Sequence, residues 1–173
     1  MSELTFTAST LSISNSLHTL LSKLFTTHLL DNETLATSRY LVLNFRDKSY
    51  SADDGGFHPV EMAICHTSTG EWNIEYITDF AYMGNHYPEL ERNLDFDFRV
   101  GQFFVAYRGW LPIQGSHDAK ELYQLWESSF LAYVDMDSYN EITVTPQLLM
   151  TSLLFDTIKL VTALITLFTL SPF

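Results

Sequence analysis

The chain has 173 residues, of which 46% are hydrophobic and 14% aromatic, and a formal net charge of −12. That length and apolar content suit one domain, 1–173, with a real core, and they exclude a disordered polypeptide. The negative field repels DNA, RNA and anionic lipid surfaces, so a direct nucleic-acid partner is not expected, whereas a basic protein partner is.

The opening "MSELTFTASTLSISNSLHTLL" carries Glu3 and no early Lys or Arg. It lacks the basic start of a secretory signal, and a cytoplasmic protein is expected. Residues 12–30 read as a helix. Leu17, Leu20, Leu21, Leu24 and Leu29 share a stripe opposite Ser16, Lys23 and Thr27. His18 and His28 have no partner at ligand spacing, which predicts the solvent edge for both.

Next the period changes. "YLVLNFRDKSY", "FHPVEMAICHTS", "EWNIEYITDFAYMG" and "LDFDFRVGQFFVAYRGWLPI" are rich in aromatic and β-branched residues. Turn clusters such as "SADDGG", "TSTG" and "GNHYPE" separate them. The spacing predicts antiparallel strands in a meander of about five, with no long helix between them for parallel crossovers. In the third run strict alternation puts Trp72, Ile74, Tyr76, Thr78 and Phe80 on one face and Asn73, Glu75, Ile77 and Asp79 on the other. In "LDFDF", Leu94, Phe96 and Phe98 point inward and Asp95 and Asp97 outward. Cys65, the single cysteine, permits no internal disulfide and is read as a small core residue in a reducing compartment.

From Ser116 the helical period returns. Asp118 is the expected N-cap, with Glu121 completing a capping box. Leu122, Leu125, Trp126, Ser129, Phe130 and Tyr133 trace the expected buried face. The strand-like "YNEITVT" follows and Pro146 closes it. Residues 147–173 form an apolar helical tail with a narrow polar stripe. As a membrane span, the 13 Leu, Ile, Phe and Val residues between Gln147 and Leu170 contribute about −6 kcal/mol, and Asp156 and Lys159 cost about 5–7. The charge-free run from Leu160 to Phe173 is also shorter than the roughly 20 residues a span needs. Burial against the sheet or a neighbouring subunit is favoured, with a tail anchor as the alternative.

The loop "SYSADDGGFHPVE" offers Asp53, Asp54 and His58, with Glu61 nearby, as a metal or catalytic set. Nothing fixes their spacing, and HExxH, DxDxDG and a cysteine ligand set are all missing from the sequence. A turn explains the same residues: Asp bonds its own backbone, Gly55 and Gly56 accept positive φ, and Pro59 suits a strand start. Signatures for a serine nucleophile or a nucleotide loop are also missing. Glu75 and Asp79 lie about 13 Å apart along a strand, too far to act on one bond. No catalytic residue, metal or cofactor is therefore expected. Between Ser51 and Phe98 ten acids face the single base Arg92. Glu75, Asp79, Glu89, Glu91, Asp95 and Asp97 are the candidate partner-binding residues. Tyr82, His86 and Tyr87 in the "YMGNHYPE" loop are either a recognition surface or rings packed on one another.

"NFRDKSYSADDGGFHPVEMAI", "WNIEYITDFAYMG", "PELERNLDFDF", "FFVAYRGW" and "ELYQLWESSFLAYVDM" together resemble a family of small acidic proteobacterial proteins known only as a domain of unknown function. Its members are often carried on genomic or pathogenicity islands. The resemblance spans Tyr40 to Ile142 and is specific in "GGFHPVE" and "LWESSFL". It implies a fold similar to the mitochondrial acidic matrix protein, the receptor for complement globular heads. That fold is an α+β antiparallel sheet of about seven strands flanked by N- and C-terminal helices, assembled as an acidic trimer. The resemblance implies a binding protein rather than an enzyme and supplies no catalytic residues.

Three readings follow. The leading one is an acidic, non-enzymatic homo-oligomer, most simply a trimer, that binds a basic protein through charge. The second is a DNA-mimicking inhibitor from a mobile element, using Glu75/Asp79 and Asp95/Asp97 in place of phosphates. The third is a metal-dependent enzyme built on Asp53, Asp54 and His58.

Overall fold

The computed structural model describes residues 4–147. The tail after Gln147, and with it the choice between buried helix and anchor, lies outside the described residues. Helix α1 (Asn15–Leu29) begins where extended Ser14 accepts a hydrogen bond from Leu17 N at 3.1 Å. It buries Leu17, Leu21 and Phe25. A 3-10 turn, Glu33–Thr37, leads into the sheet.

The strands are β1 (Tyr40–Arg46), β2 (Val60–His66), β3 (Trp72–Met83), β4 (Glu89–Asp97), β5 (Gln102–Val105), β6 (Gly109–Pro112) and β7 (Glu141–Pro146). They form one seven-stranded sheet in the order β6-β5-β4-β3-β2-β1-β7, and every named pairing is antiparallel. Six strands meander across the sheet. Helix α2 (His117–Asp135) then separates β6 at one edge from β7 at the other. The expected α+β architecture is the observed one. Among the described residues, no helix is long and apolar enough to cross a membrane.

One core joins both helices to one face of the sheet. Leu41, Leu43 and Phe45 from β1, Met62 and Ile64 from β2, and Ile77 and Phe96 from β3 and β4 meet Leu17, Leu21, Tyr123 and Phe130. The other face carries no helix in this core, yet Val42 and Ala63 are buried there among their strand neighbours.

Two bulges set which side chain reaches which face. Ala63 pairs with Tyr76 but Ile64 pairs with Ile74, so Glu75 is an extra residue in β3. Past it the alternation inverts. Ile77 and Asp79 join Trp72 and Ile74 on the helix side, and the strict two-face expectation for this strand fails at Glu75. Likewise Asp79 pairs with Leu94 but Phe80 with Arg92, leaving Asn93 extra in β4. The inward set Leu94, Phe96 and Phe98 holds as expected.

Other expectations shift by a residue or two. The α2 N-cap is Ser116, whose hydroxyl accepts from Ala119 N at 3.1 Å, and Asp118 sits in the first turn. The buried face of α2 is Ala119, Tyr123, Trp126, Glu127 and Phe130, while Leu125 is 67% exposed. Both histidines of α1 leave the solvent edge. His18 stacks on Phe6 at 4.4 Å with a buried, partnerless Nε2, and burial pushes its pKa down. His28 sets its two ring nitrogens 2.9 and 3.2 Å from the carbonyl oxygens of Leu24 and Ile142. Cys65 is half-buried on the helix-free face rather than in the core, and burial pushes its thiol pKa up, as suits an unreactive thiol.

The turn reading of "SADDGG" holds. Ser51 and Gly55 exchange two backbone hydrogen bonds of 3.1 Å. Gly56 has φ 126°, and a Cβ there would lie 2.9 Å from Asp47 Oδ2 and 3.1 Å from Tyr50 Cα. Gly56→Ala is expected to lower stability by about 1–3 kcal/mol, through positive φ and the clash together. Urea denaturation checks this, and a loss below about 0.5 kcal/mol would show that the loop yields freely.

Candidate functional site

The six candidate acids do not form one surface. Glu75 is the bulge residue, half-buried, and burial pushes its pKa up. Asp79 turns to the helix side and is 8% exposed. Asp95 and Asp97 lie on the opposite face, 4% and 8% exposed, so they point away from the core without reaching free solvent. Because Asn93 is an extra residue, Arg92 shares that face with Asp95. Its Nε lies 3.1 Å from Asp95 Oδ2 as an ion pair, and Thr78 Oγ1 donates a hydrogen bond to the same oxygen at 2.8 Å. The Arg92 guanidinium also lies 5.1 Å from the Trp110 ring and 5.8 Å from that of Phe104. Arg99 grips Asp97 with two bonds, 3.0 and 2.6 Å, from 5.0 Å over the Tyr76 ring. Against its burial, this guanidinium holds the Asp97 pKa below the usual carboxylate value. Burial pushes that of Asp95 up.

Glu89 and Glu91 differ. Both are exposed at the far end of the β3–β4 hairpin and form no ion pair among the described residues. Tyr87, 88% exposed, Tyr82 and Leu90 share that end. The Asp53–Asp54 turn is tied to it: Tyr82 N donates to Tyr50 Oη at 3.1 Å, and the two rings sit 5.2 Å apart. Of the "YMGNHYPE" rings Tyr82 thus packs on Tyr50 rather than on its loop neighbours, and His86 and Tyr87 are exposed. Regular carboxylate rows, which a phosphate mimic needs, are broken by the bulge at Glu75 and by the two arginines.

His58 does not gather with Asp53 and Asp54, which stay exposed in their turn. Its Nδ1–H donates to Asp79 Oδ1 at 2.9 Å, and Asn93 Nδ2 donates to the same oxygen at 2.9 Å. Both bulges are needed for this: one brings Asp79 to the helix side, and the other frees Asn93 to turn toward it. The pair lies at one end of a cleft of about 340 Å³ beside α2, walled by Phe57, Leu94, Leu122, Trp126, Phe130 and Tyr133. Ser129 also lines it, but its hydroxyl donates to Leu125 O at 3.0 Å, so the cleft contains no serine–histidine relay. Among the described residues no group of three or more His, Cys, Asp or Glu is placed to hold a metal ion. His66 packs edge-on against Trp72 at 5.0 Å.

The hydrogen bond to Asp79 raises the His58 pKa above 6.5, against its burial. Folded His58 thus holds its proton more tightly than the unfolded chain does. Its stabilising contribution is complete below about pH 6.5 and is lost as pH rises through the higher folded value. The ring is 40% exposed, so solvent screens the pair and the effect is a modest slope. His58→Gln should flatten the decline of the urea midpoint as pH rises above about 6.5. An unchanged decline would place its cause elsewhere.

The sequence carried a signal for the turn and none for the His58–Asp79 pair, whose members are 21 residues apart and meet only through strand register. The family described as "Protein of unknown function (DUF2787)" matches residues 15–145. Two solved structures from Vibrio cholerae are similar. One, a hypothetical protein of the VSP-II pathogenicity island, is 76% identical, with 82% of this chain and 99% of that one covered and a TM-score of 0.74. The other, a conserved hypothetical protein of pathogenicity island VPI-2, is 54% identical, with 81% and 99% covered and a TM-score of 0.72. It is described as sharing structural homology with the human P32 protein. No curated protein matches the chain.

Proposed function

This chain belongs to the DUF2787 family, proteins of unknown function, and on that premise we propose that it is a non-enzymatic binding protein that engages a basic partner through the exposed end of its β3–β4 hairpin. The observation that carries this is the contrast among its acids. Asp79, Asp95 and Asp97 are taken up by His58, Arg92 and Arg99, whereas Glu89 and Glu91 stand free on one face of a hairpin end that carries Tyr82 and Leu90 on its other face and Tyr87 in its loop. Charge at such an end steers a basic partner, and the rings supply contact area at little entropic cost. The acidic turn at Asp53 and Asp54 extends the same field. Self-association, with a trimer as the simplest form, is part of the proposal, and light scattering tests it.

The double variant Glu89→Lys/Glu91→Lys should bind an immobilised oligo-lysine peptide at least about tenfold more weakly than wild type in dilute salt, with the difference shrinking as salt is raised. Asp53→Asn/Asp54→Asn should weaken it less. Equal binding by the lysine variant and wild type would end this reading. The relatives named above carry pathogenicity-island origins, which supports a role in a mobile element and says nothing of the partner.

A further inference from the structure

We propose that the cleft between the sheet and α2 is a binding site for a small apolar carboxylate, with its hydrocarbon against Trp126, Phe130 and Tyr133 and its carboxylate on His58 Nε2. This inference is independent of the hairpin end and concerns the opposite use of charge: an anion held by an acidic protein.

A volume of about 340 Å³ lies at the small end of ligand pockets, which run from about 300 to 1,000 Å³. At about 30 Å³ per water-sized group it admits roughly ten heavy atoms. Its walls are mostly apolar, and three of its polar groups, His58, Asp79 and Asn93, are joined through Asp79 by hydrogen bonds, while Ser129, Tyr133 and Tyr139 add hydroxyls to the lining. That is the distribution of a site for an amphipathic molecule, whose apolar body supplies affinity and whose single polar head supplies orientation.

Asp79 accepts the Nδ1 proton of His58, which fixes the tautomer and the plane of the ring. Nε2 has no partner among the described residues, and the side chain is 40% exposed. Asp79 Oδ1 accepts hydrogen bonds from both His58 and Asn93, and the imidazole Nε2 is the donor left over in this cluster. Protonated, it presents one N–H, and a carboxylate is the head group that makes a charge-assisted bond to it. An amine would meet the imidazolium's like charge.

The titratable groups around His58 are Asp79 from β3, which it bonds, Tyr50, whose ring lies 5.4 Å away, and Tyr133 from α2 and Tyr139, which line the same cleft. The hydrogen bond to Asp79 holds the His58 pKa up, so the imidazolium persists toward neutral pH, and affinity should fall as pH rises beyond it.

The probes are octanoate and 3-phenylpropionate, titrated into the full chain by calorimetry, with the His58 Cε1–H resonance followed in parallel. Both should bind and shift that resonance. 3-Phenylpropanamide should bind at least about tenfold more weakly, a difference of about 1.4 kcal/mol. His58→Gln should lose about tenfold for the carboxylates and little for the amide. Ser129→Trp, which fills the cleft from its rim, should abolish binding while melting as a folded protein. Glu89→Lys/Glu91→Lys should bind the carboxylates as wild type does. Three results would overturn the site: no heat and no shift at millimolar probe, 3-phenylpropylamine binding as tightly as 3-phenylpropionate, or carboxylate affinity untouched in both His58→Gln and Ser129→Trp.

Discussion

Trp126→Ala should remove about 3–5 kcal/mol of folding stability, the usual loss for a truncated buried indole. Trp126 is 8% exposed and stacks on Phe130, with centroids 5.2 Å apart and planes at 10°. It also meets Phe96 at 6.2 Å and Tyr123 at 6.1 Å. Phe130 in turn stands edge-on to Phe45 of β1 at 4.9 Å. The indole therefore links α2 to the middle of the sheet through rings on three elements. Phe96 is held by strand pairing and Tyr123 and Phe130 by their own helix, so these neighbours cannot collapse fully into the space it leaves. For a chain of this length the loss corresponds to a drop in melting temperature of about 6–20 °C. Urea and thermal unfolding report it, and a loss under about 1 kcal/mol would mean that α2 is only loosely docked.

Glu127→Ala should cost about 2–4 kcal/mol through a different mechanism. Glu127 is 7% exposed, and its Oε1 accepts from Tyr123 Oη at 2.8 Å and from Ser14 N at 3.1 Å. Ser14 is the N-cap of α1, so one carboxylate in α2 holds the start of the other helix and sits favourably against its dipole. Alanine leaves one buried donor, Tyr123 Oη, and one half-buried donor, Ser14 N, unmet, at about 1–3 kcal/mol for the first and less for the second. Relief from burying a charge offsets part of that. Glu127→Gln keeps an acceptor and should lose only about 1 kcal/mol. A double-mutant cycle with Tyr123→Phe separates the two bonds. If alanine and glutamine cost the same, the bridge contributes nothing and the volume change is the whole effect.

The sequence by itself determined the order of elements. Leu17, Leu21 and Leu24 recur at the helical period, and Leu94, Phe96 and Phe98 at the strand period, and both patterns are local. It determined the turn at Asp53–Gly56 as well, since glycine and aspartate set that geometry without distant help. The resemblance in "GGFHPVE" and "LWESSFL" led to the family.

The fate of the acids was decided by tertiary structure alone. Glu75 is an extra residue only relative to Ala63 and Ile64, and Asn93 only relative to Asp79 and Phe80, so neither bulge exists within one strand's pattern. Each bulge inverts every side chain beyond it. One therefore carries Asp79 from the expected acidic face to His58, and the other lines Arg92 up with Asp95. The same holds for α2, where periodicity located the stripe near Trp126. Glu127 belongs in its buried face only because Ser14, 113 residues away, supplies the donor that makes a buried carboxylate tolerable. Charge is written in the sequence, but its neutralisation depends on which strands and helices meet, and that is a property of pairs.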